Sequence, residues 1–323
     1  MKKNKERKID LVYCWVDGND EKWQLKKNQY LSELKEEQSN NKCRFINNNE
    51  LKYSLRSVEK YAPWINHIYI ITDNQIPEWL NTDHPKISVI DHTDIMPSEA
   101  LPTFNSLAIE TCMHKIPDLS EYFLYGNDDF FFSDYVKPNF FYSKEGKPYC
   151  RFRKPIEGEP ITQYMNMLNN AVNILEEKGY KFPLYISHHN FDAYKKSIIE
   201  ECDKEFGEAL KRTTMAKFRN SNNILRTIYD YYAMATGKGT FIKIQKYSKL
   251  LPWYKKFLFK LIKHYQKDSV VIFWNYPNIH KKIEKYRPKL LCVNDGEETK
   301  EEDRIIIEQF LESFFPEKSS FEK

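Results

Sequence analysis

Residues 9–20 are IDLVYCWVDGND, eight mostly apolar residues followed by a polar turn. The apolar part, residues 9–16, is short and rich in β-branched and aromatic side chains, which predicts a buried strand. Asn19 or Asp20 is then in position to cap a following helix. A buried strand that passes through a turn into a helix is the repeating unit of α/β folds.

The alternation continues along the first half of the chain. Three further apolar stretches predict strands at residues 68–72, 87–91 and 122–125. Helices are expected at residues 50–61, where Pro63 ends the pattern, and at residues 105–115. Strands that alternate with helices indicate an α/β fold with a doubly wound, mainly parallel (Rossmann-like) sheet.

The second half of the chain is more helical. Helices are predicted at residues 161–178, 191–206, 222–236 and 303–314. Prolines punctuate the stretch from 138 to 160, which favours a subdomain boundary within residues 140–160. The chain then divides into an α/β core over residues 1–150 and a helical-rich portion over residues 151–323.

Composition excludes several classes of protein. The 323 residues carry 50 basic and 46 acidic side chains, a balance that argues against a nucleic-acid binder. Six cysteines include no CxxC pair, so a zinc knuckle is disfavoured. No apolar run approaches the roughly 20 residues of a spanning helix. These features predict a cytoplasmic protein with reduced thiols.

The motif with the clearest chemical meaning is Asn127-Asp128-Asp129, which follows a predicted strand and precedes three phenylalanines. Ligands bind doubly wound sheets at the carboxyl ends of strands. Mg²⁺ prefers oxygen ligands and often combines one or two carboxylates with substrate phosphates. The motif therefore favours a metal–diphosphate site, although an Asx-rich turn that caps a helix would have the same sequence.

Three other positions have side chains suited to phosphoryl chemistry. His188 and His189 are adjacent, and a histidine near neutral pKa is a suitable general base. Taken alone, the pair is better explained as a polar pair at a helix start or as a core histidine with its hydrogen bonds satisfied. Arg219 has the planar fork that matches phosphate oxygens, or it forms a surface salt bridge. Asp295-Gly296 is a turn signal first and a metal ligand second. No GxGxxG or GxxxxGK[ST] pattern occurs, which disfavours dinucleotide and P-loop binding.

A basic amphipathic segment lies at residues 249–267. At 100° per residue, one stripe contains Lys249, Lys256, Lys260, Lys263 and Lys267. An apolar face lies opposite, which is typical of a helix that contacts anionic lipid. An ordinary surface helix packed on the core has the same pattern.

In this order, these pieces resemble the Stealth family of bacterial capsular polysaccharide phosphotransferases, which includes the animal lysosomal-enzyme GlcNAc-1-phosphotransferase. The first block of the family is similar to residues 9–23, the second to residues 49–129, the third to the region of His188-His189 and Phe218-Arg219, and the fourth to residues 292–295. The match spans roughly residues 9–296. Where relatives usually have a proline after the first histidine, this chain has Asn190-Phe191, so the choice between His188 and His189 stays open. His188 is favoured because it aligns with the first histidine of the block.

The resemblance implies a nucleotide-diphosphate sugar as donor and a polysaccharide or lipid-linked oligosaccharide as acceptor. A hexose-1-phosphate or N-acetylhexosamine-1-phosphate would move to an acceptor hydroxyl, and a nucleoside monophosphate would leave. The alternative is a metal-dependent glycosyltransferase, which would release the diphosphate. Residues 1–150 would bind the nucleotide sugar, and residues 151–323 would complete the active site.

The resemblance also assigns roles to single residues. Asp129 and Asp295 would hold a divalent metal, Mg²⁺ by expectation. The catalytic group would include Asn127, Asp128, Arg219 and His188, with His188 as the base. The donor would contact Asp17, Glu50 and Arg56. The alternatives are that Asp17 only shapes its turn and that Glu50 and Arg56 form a buried ion pair. A lipid-borne acceptor would place the protein peripherally on the inner face of the cell membrane.

Overall fold

A computed structural model describes residues 7–31, 41–155, 157–244, 269–273, 283 and 288–323. Its strands are β1 (Ile9–Cys14), β2 (Ile68–Thr72), β3 (Ile87–Asp91), β4 (Tyr122–Asn127), β5 (Phe130–Phe132), β6 (Tyr149–Arg153), β7 (Ile186–Ser187), β8 (Asp192–Lys195), β9 (Thr240–Lys243), β10 (Ser269–Phe273) and β11 (Leu290–Asn294). Its helices are α1 (Glu21–Gln29), α2 (Glu50–Tyr61), α3 (His92–Ile95), α4 (Ser106–Glu110), α5 (Gln163–Glu177), α6 (Lys196–Thr214), α7 (Thr227–Ala235) and α8 (Glu301–Phe314).

The main sheet has the strand order β3-β2-β1-β4-β8. The first four strands are parallel, and β8 adds an antiparallel edge to β4. This arrangement confirms the expected mainly parallel, doubly wound α/β fold. The chain winds outward from β1 through β2 to β3 and then returns to β4 on the other side of β1. The switch point, where such sheets bind ligands, therefore lies between β1 and β4.

Each face of the sheet is covered by its own apolar core, because successive side chains of a strand point to opposite faces. On one face, Leu11 and Tyr13 pack with residues of α2 at helical spacing, Leu51, Leu55 and Val58. On the other face, Val12 belongs to a core that includes α4, α5, α6 and α7. Both cores, like the sheet itself, contain residues from each side of residue 150.

Two small sheets lie beside the main one, and each brings distant segments to the switch point. The first has the order β10-β11-β5, so the aromatic run after the Asn-Asp-Asp motif is a strand paired with β11. The second has the order β7-β6-β9. The backbone N–H of His188 donates to the Arg151 carbonyl and extends the pairing of β7 with β6.

The structure corrects several predicted boundaries. The helix expected at residues 191–206 begins at Lys196, because Asp192–Lys195 pairs with the edge of β4 as a strand. The helix expected at 105–115 ends at Glu110 and is followed by a separate 3-10 turn, Met113–Lys115. The helix expected at 222–236 is Thr227–Ala235.

Within the described ranges, no helix combines the length and the apolar character needed to cross a bilayer. The basic amphipathic segment predicted at residues 249–267 lies outside those ranges. Its possible contact with anionic lipid therefore stays a prediction from the sequence.

Candidate active site

Three carboxylates meet at the switch point of the sheet. Asp128 and Asp129 follow β4, and the register of β4 with β1 places Asn127 beside Cys14, the last residue of β1. The third carboxylate is Glu50 at the start of α2, where the backbone and side-chain N–H groups of Asn48 each donate to it at 2.7 Å. The folded chain thus brings two expected site segments together.

The three carboxylates of this cluster repel one another, and this repulsion adds to the effect of burial on their pKa values. Burial, followed by the charge of Asp128, raises the pKa of Glu50 to about 8. Burial and the neighbouring carboxylate Asp129 raise the pKa of Asp128 to about 7, and burial together with Glu50 does the same for Asp129. Asp129 Oδ1 is buried and accepts no hydrogen bond within the described part of the chain. Carboxylates held in this way are suited to a cation.

Asp129 also lies beside groups from two other segments, His189 and Cys292. One ligand atom of each of the three residues lies within 4.8 Å of the other two. The Cys292 thiol donates to Asp129 Oδ2 at 3.4 Å, and the His189 ring meets the Phe130 ring edge-on. β11 carries Cys292 here because the Val293 N–H donates to the Asp129 carbonyl at 3.0 Å.

The two adjacent histidines have different surroundings. His188 is buried, with its Nε2 3.0 Å from Asp192 Oδ1 and its Nδ1 3.4 Å from the Ser269 hydroxyl. Both of its ring nitrogens therefore have partners. His189 faces Asp129, and burial together with the charge of Arg226 lowers the pKa of its imidazole to about 4. His189 is therefore neutral at physiological pH, and its low pKa makes it a weaker base than an ordinary imidazole.

Behind the histidines lies a buried network centred on Arg226. Its guanidinium contacts Asp192 Oδ2 at 3.0 Å and Glu110 Oε1 at 3.1 Å. The Tyr125 hydroxyl donates to the same Glu110 oxygen at 3.1 Å, and the guanidinium lies over the Tyr125 ring. This network fixes β4, α4, β8 and the start of α7 relative to one another.

Arg219 lies close enough to the site for its charge to lower the pKa of His189. Its guanidinium donates to the Ser106 hydroxyl at 2.6 Å. Burial, followed by the charge of Arg44, lowers the pKa of Arg219 to about 10, so the group stays cationic at neutral pH. The neighbouring Phe218 stacks on Phe104, which anchors the Arg219 loop to the segment before α4.

Two expected site residues are engaged in turns at the carboxyl edges of their strands. Asp17 follows β1, exchanges backbone hydrogen bonds with the Gln75 side chain and accepts the Asn19 N–H at its own carboxylate. Asp295 follows β11, where its carboxylate lies 3.3 Å from the Arg304 guanidinium and accepts the Gly296 N–H at 2.8 Å. Asp295 is not one of the three clustered ligand groups around Asp129.

Arg56 lies away from these groups. Its guanidinium is 2.9 Å from Glu322 and 3.2 Å from Glu312, and it donates to the Phe315 carbonyl at 2.7 Å. Arg56 lies six positions after Glu50 in α2, about 9 Å further along the helix axis. The expected contact of Arg56 with the donor does not agree with this position. A buried ion pair does exist, but its partner is Glu322 rather than Glu50.

Four residues of the site were not expected from the sequence: Cys292, Glu110, Asp192 and Arg226. Asp192 follows His188 by four residues, and Arg226 interrupts an otherwise apolar stretch before α7. These are weak signals, because charged residues at such spacings are common on helix surfaces. Their importance depends on contacts between segments far apart in the chain, which no local pattern reports.

Comparison with known proteins identifies three matching family regions. Stealth protein conserved region 1 matches residues 7–35, conserved region 2 matches residues 44–150, and conserved region 4 matches residues 281–323. A galactosyltransferase, LgtC, in a crystal structure with donor and acceptor sugar analogs, aligns over 95% of both chains with a TM-score of 0.43 and 11% identity. That level of likeness adds nothing to the fold described above.

Curated relatives match over most of the chain. The capsular polysaccharide phosphotransferase SacB of Neisseria meningitidis serogroup A is 35% identical over 98% of this chain, which spans only 57% of SacB. The exopolysaccharide phosphotransferase SCO6023 of Streptomyces coelicolor is 39% identical over 72% of this chain and 41% of its own length. The exopolysaccharide phosphotransferase cps2G of Lactiplantibacillus plantarum is 32% identical over 98% of this chain and 96% of its own length. The chain therefore belongs to the Stealth protein family.

Proposed function

We propose that this protein transfers a sugar phosphate, either a hexose-1-phosphate or an N-acetylhexosamine-1-phosphate, from a nucleotide-diphosphate sugar to a hydroxyl of a capsular polysaccharide or exopolysaccharide. A nucleoside monophosphate is released. The observation that carries the proposal is the nearly end-to-end similarity to cps2G, whose name states exopolysaccharide phosphotransferase activity. The carboxylate cluster at the switch point supports it, because nucleotides bind sheets of this kind there.

A divalent cation, with Mg²⁺ as the expected ion, is part of the proposal. The fit rests on the donor set: Glu50, Asp128 and Asp129 offer carboxylate oxygens, and Asp129 Oδ1 is buried without a hydrogen-bond partner among the described residues. When bound, such a cation neutralises charge on the donor diphosphate. Asp295 would join this set only if its carboxylate left Arg304.

The residues of the chain contribute positioning and proton transfer. The acceptor hydroxyl attacks the phosphorus that bears the sugar, and the bond from that phosphorus to the nucleoside monophosphate oxygen breaks. Phosphoryl transfer depends on in-line positioning and charge stabilisation more than on covalent help. Arg219, which stays cationic, stabilises negative charge on the equatorial phosphate oxygens. Asn127 and Asp17 help to orient the donor.

We assign the hydroxyl proton to a ring nitrogen of His189. His188 aligns better with the family pattern, but both of its ring nitrogens are engaged, by Asp192 and Ser269. His188 then acts as a positioning residue that fixes the turn between β7 and β8. This assignment places the base beside Asp129 and therefore beside the proposed cation.

Substitutions of the two histidines test this assignment. His189→Ala should lower kcat by about 10²–10⁴-fold, the usual contribution of a general base, with little change in KM for the donor. His188→Gln keeps a hydrogen-bonding side chain and should lower kcat much less. The reverse order, with His188→Gln the more damaging change, would return the role of base to His188.

Product analysis tests the reaction itself. UDP-, GDP- and CDP-sugars are incubated with Mg²⁺ and acceptor oligosaccharide, and the released nucleotide is measured. Monophosphate release and a phosphodiester signal in ³¹P NMR are expected. Diphosphate release would instead support the metal-dependent glycosyltransferase.

The lipid-linked acceptor and peripheral membrane contact belong to the same proposal. Vesicle pelleting of the wild type and of a variant with the lysines of residues 249–267 changed to glutamate tests them.

A further inference from the structure

The cluster around Asp129 contains a mixed set of donor atoms. A carboxylate oxygen, an imidazole nitrogen and a thiol sulfur approach one another from three segments of the chain, at Asp129, His189 and Cys292. Mg²⁺ takes oxygen ligands, whereas thiolate and imidazole together suit Zn²⁺. The Mg²⁺ proposed for catalysis would not bind the sulfur of Cys292.

The spacing of the three groups is close to that of a zinc site. Zn–N and Zn–O distances of about 2.0–2.2 Å and a Zn–S distance of about 2.3 Å put tetrahedral ligand atoms roughly 3.3–3.7 Å apart. The three ligand atoms here lie within 4.8 Å of one another, and the pair Cys292 Sγ and Asp129 Oδ2 is already at 3.4 Å. Small side-chain rotations would close the remaining gap.

A second observation points to a ligand at the same place. Asp129 Oδ1 is buried and has no hydrogen-bond partner in the described residues, although its other oxygen accepts from the Cys292 thiol. A buried carboxylate oxygen without a partner costs free energy that a cation would recover. The backbone also holds the site, because β5 and β11 are paired on both sides of Asp129 and Cys292.

We propose that Asp129, His189 and Cys292 form a Zn²⁺ site with water as the fourth ligand, and that zinc in this site stops sugar-phosphate transfer. On binding, the Cys292 thiol releases its proton to solvent as the Zn–S bond forms. The ring nitrogen of His189 that faces Asp129 is then occupied by zinc and accepts no proton from the acceptor hydroxyl. The inhibitory part of the proposal rests on the proposed function, whereas zinc binding itself does not.

Cobalt substitution tests the binding site without substrates. Co²⁺ added to the full-length protein should give the visible absorption of a four-coordinate centre and a thiolate-to-cobalt charge-transfer band, and Zn²⁺ should displace it with a stoichiometry of one. In Cys292→Ser the charge-transfer band should disappear. In His189→Gln the affinity for Zn²⁺ should fall by about 100-fold or more, which exceeds the usual loss when a residue that only hydrogen-bonds to a metal ligand is changed.

Cys43→Ser is the matched control, because Cys43 is a more exposed thiol whose pKa is raised by burial and nearby Asp295. It should leave the cobalt spectrum and the zinc affinity unchanged. A charge-transfer band that survives in Cys292→Ser, or an unchanged zinc affinity in His189→Gln, would overturn the site. Circular dichroism confirms that each variant is folded, and the two variants report on the site independently.

A second measurement tests inhibition. At fixed Mg²⁺, added Zn²⁺ should abolish monophosphate release by the wild type, and a chelator selective for Zn²⁺ over Mg²⁺ should restore it. The Zn²⁺ concentration for half-inhibition should rise by about 100-fold in Cys292→Ser, measured against the uninhibited rate of that variant. Equal sensitivity of the two proteins would remove the inhibitory role. A normal cobalt result with no transferase activity under any condition would contradict the proposed function and leave the zinc site standing.

Discussion

At the scale of single residues, the site holds three carboxylates close to one another. Glu50, Asp128 and Asp129 lie close together in a largely buried cluster at the end of β4, and each carboxylate raises the pKa of a neighbour. Such an arrangement destabilises the folded chain in the absence of a cation and makes cation binding more favourable. The binding energy of the cation is therefore partly relief of repulsion.

Asp128→Asn should stabilise the metal-free protein in a pH-dependent way. The pKa of Asp128 rises from an ordinary value near 4 to about 7 in the fold. The protonated Asp128 carboxyl therefore makes its full favourable contribution to the free energy of unfolding below about pH 4. That contribution is lost as the pH rises through about 7. In EDTA, Tm of the variant should exceed that of the wild type at pH 8, and the difference should shrink at pH 4.5.

Saturating Mg²⁺ supplies the internal control for this prediction. The cation compensates the charge in the wild type, so its presence should reduce or reverse the advantage of the variant at pH 8. A difference in Tm that is the same at both pH values in EDTA would contradict the electrostatic explanation.

The buried network of Arg226 makes a different prediction at the same scale. Arg226→Met leaves Glu110 and Asp192 as uncompensated buried charges. Breaking a buried ion pair by removing one partner costs about 3–5 kcal/mol, so the free energy of unfolding in denaturant should fall by that amount. Replacing Glu110 with glutamine in the same chain should recover part of the loss.

Lys238→Ala is the comparison for Arg226→Met. Lys238 pairs with Glu201 at the surface, where both side chains are more than 40% exposed. Exposed pairs contribute about 0–1 kcal/mol. Equal losses in the free energy of unfolding for the two substitutions would show that the buried network contributes no more to stability than an exposed ion pair.

At the scale of elements, one glycine determines how closely the turn between β7 and β8, which contains His188 and His189, approaches β4. A Cβ on Gly126 would lie 2.4 Å from a ring carbon of Phe191. The Phe191 ring stacks on Phe132 and meets Phe130 edge-on, so it cannot move without disturbing β5. The pair Gly126 and Phe191 therefore fixes the distance between His189 and Asp129.

Gly126→Ala should destabilise the protein by about 1–3 kcal/mol, the usual cost of overpacking. In a Phe191→Leu background, which frees space at the ring carbons, the same substitution should cost less. The interaction is measured by a double-mutant cycle in denaturant unfolding. Additive effects of the two changes would show that the contact does not set the approach of the turn.

The sequence predicted the elements whose pattern is local. The strands at residues 68–72 and 87–91 and the helix at residues 50–61 have the predicted bounds, because apolar period and flanking turn residues define them. The start of the helix predicted at 191–206 was wrong, because the open edge of β4 recruits Asp192–Lys195 as a strand. Tertiary pairing of this kind overrides local propensity.

The same distinction applies to the site. The Asn127-Asp128-Asp129 motif was recognisable because it directly follows a strand. The thiol of Cys292 and the guanidinium of Arg226 were not, because they reach the site through pairings between distant segments. Arg56 was assigned to the donor by family pattern alone, and its packing against the C-terminal segment was not visible in the sequence.

At the scale of the whole molecule, Arg56 links the first half of the chain to its last residues. The Glu322 carboxylate contacts it in a buried pair, with each side chain about 5% exposed or less. The same C-terminal segment pairs with Leu80 and inserts Phe321 into the core beneath α2. The C-terminal residues therefore stabilise the N-terminal sheet.

Arg56→Met should lower the free energy of unfolding by about 3–5 kcal/mol, because Glu322 is left as a buried charge. At temperatures where the variant remains folded, KM for the donor should be unchanged. Glu312→Gln, which alters a partner that is 52% exposed, should cost about 1 kcal/mol or less. A large rise in KM for Arg56→Met without loss of stability would return Arg56 to the donor site.

The pairing of β5 with β11 has a consequence for biosynthesis. Phe130–Phe132 leaves the ribosome long before Leu290–Asn294, its hydrogen-bonding partner in the finished molecule. During that interval an aromatic strand has an unsatisfied edge, which is the kind of segment that recruits other chains. Slower translation initiation or chaperone co-expression should therefore increase the yield of monodisperse protein more than any change to the surface charge.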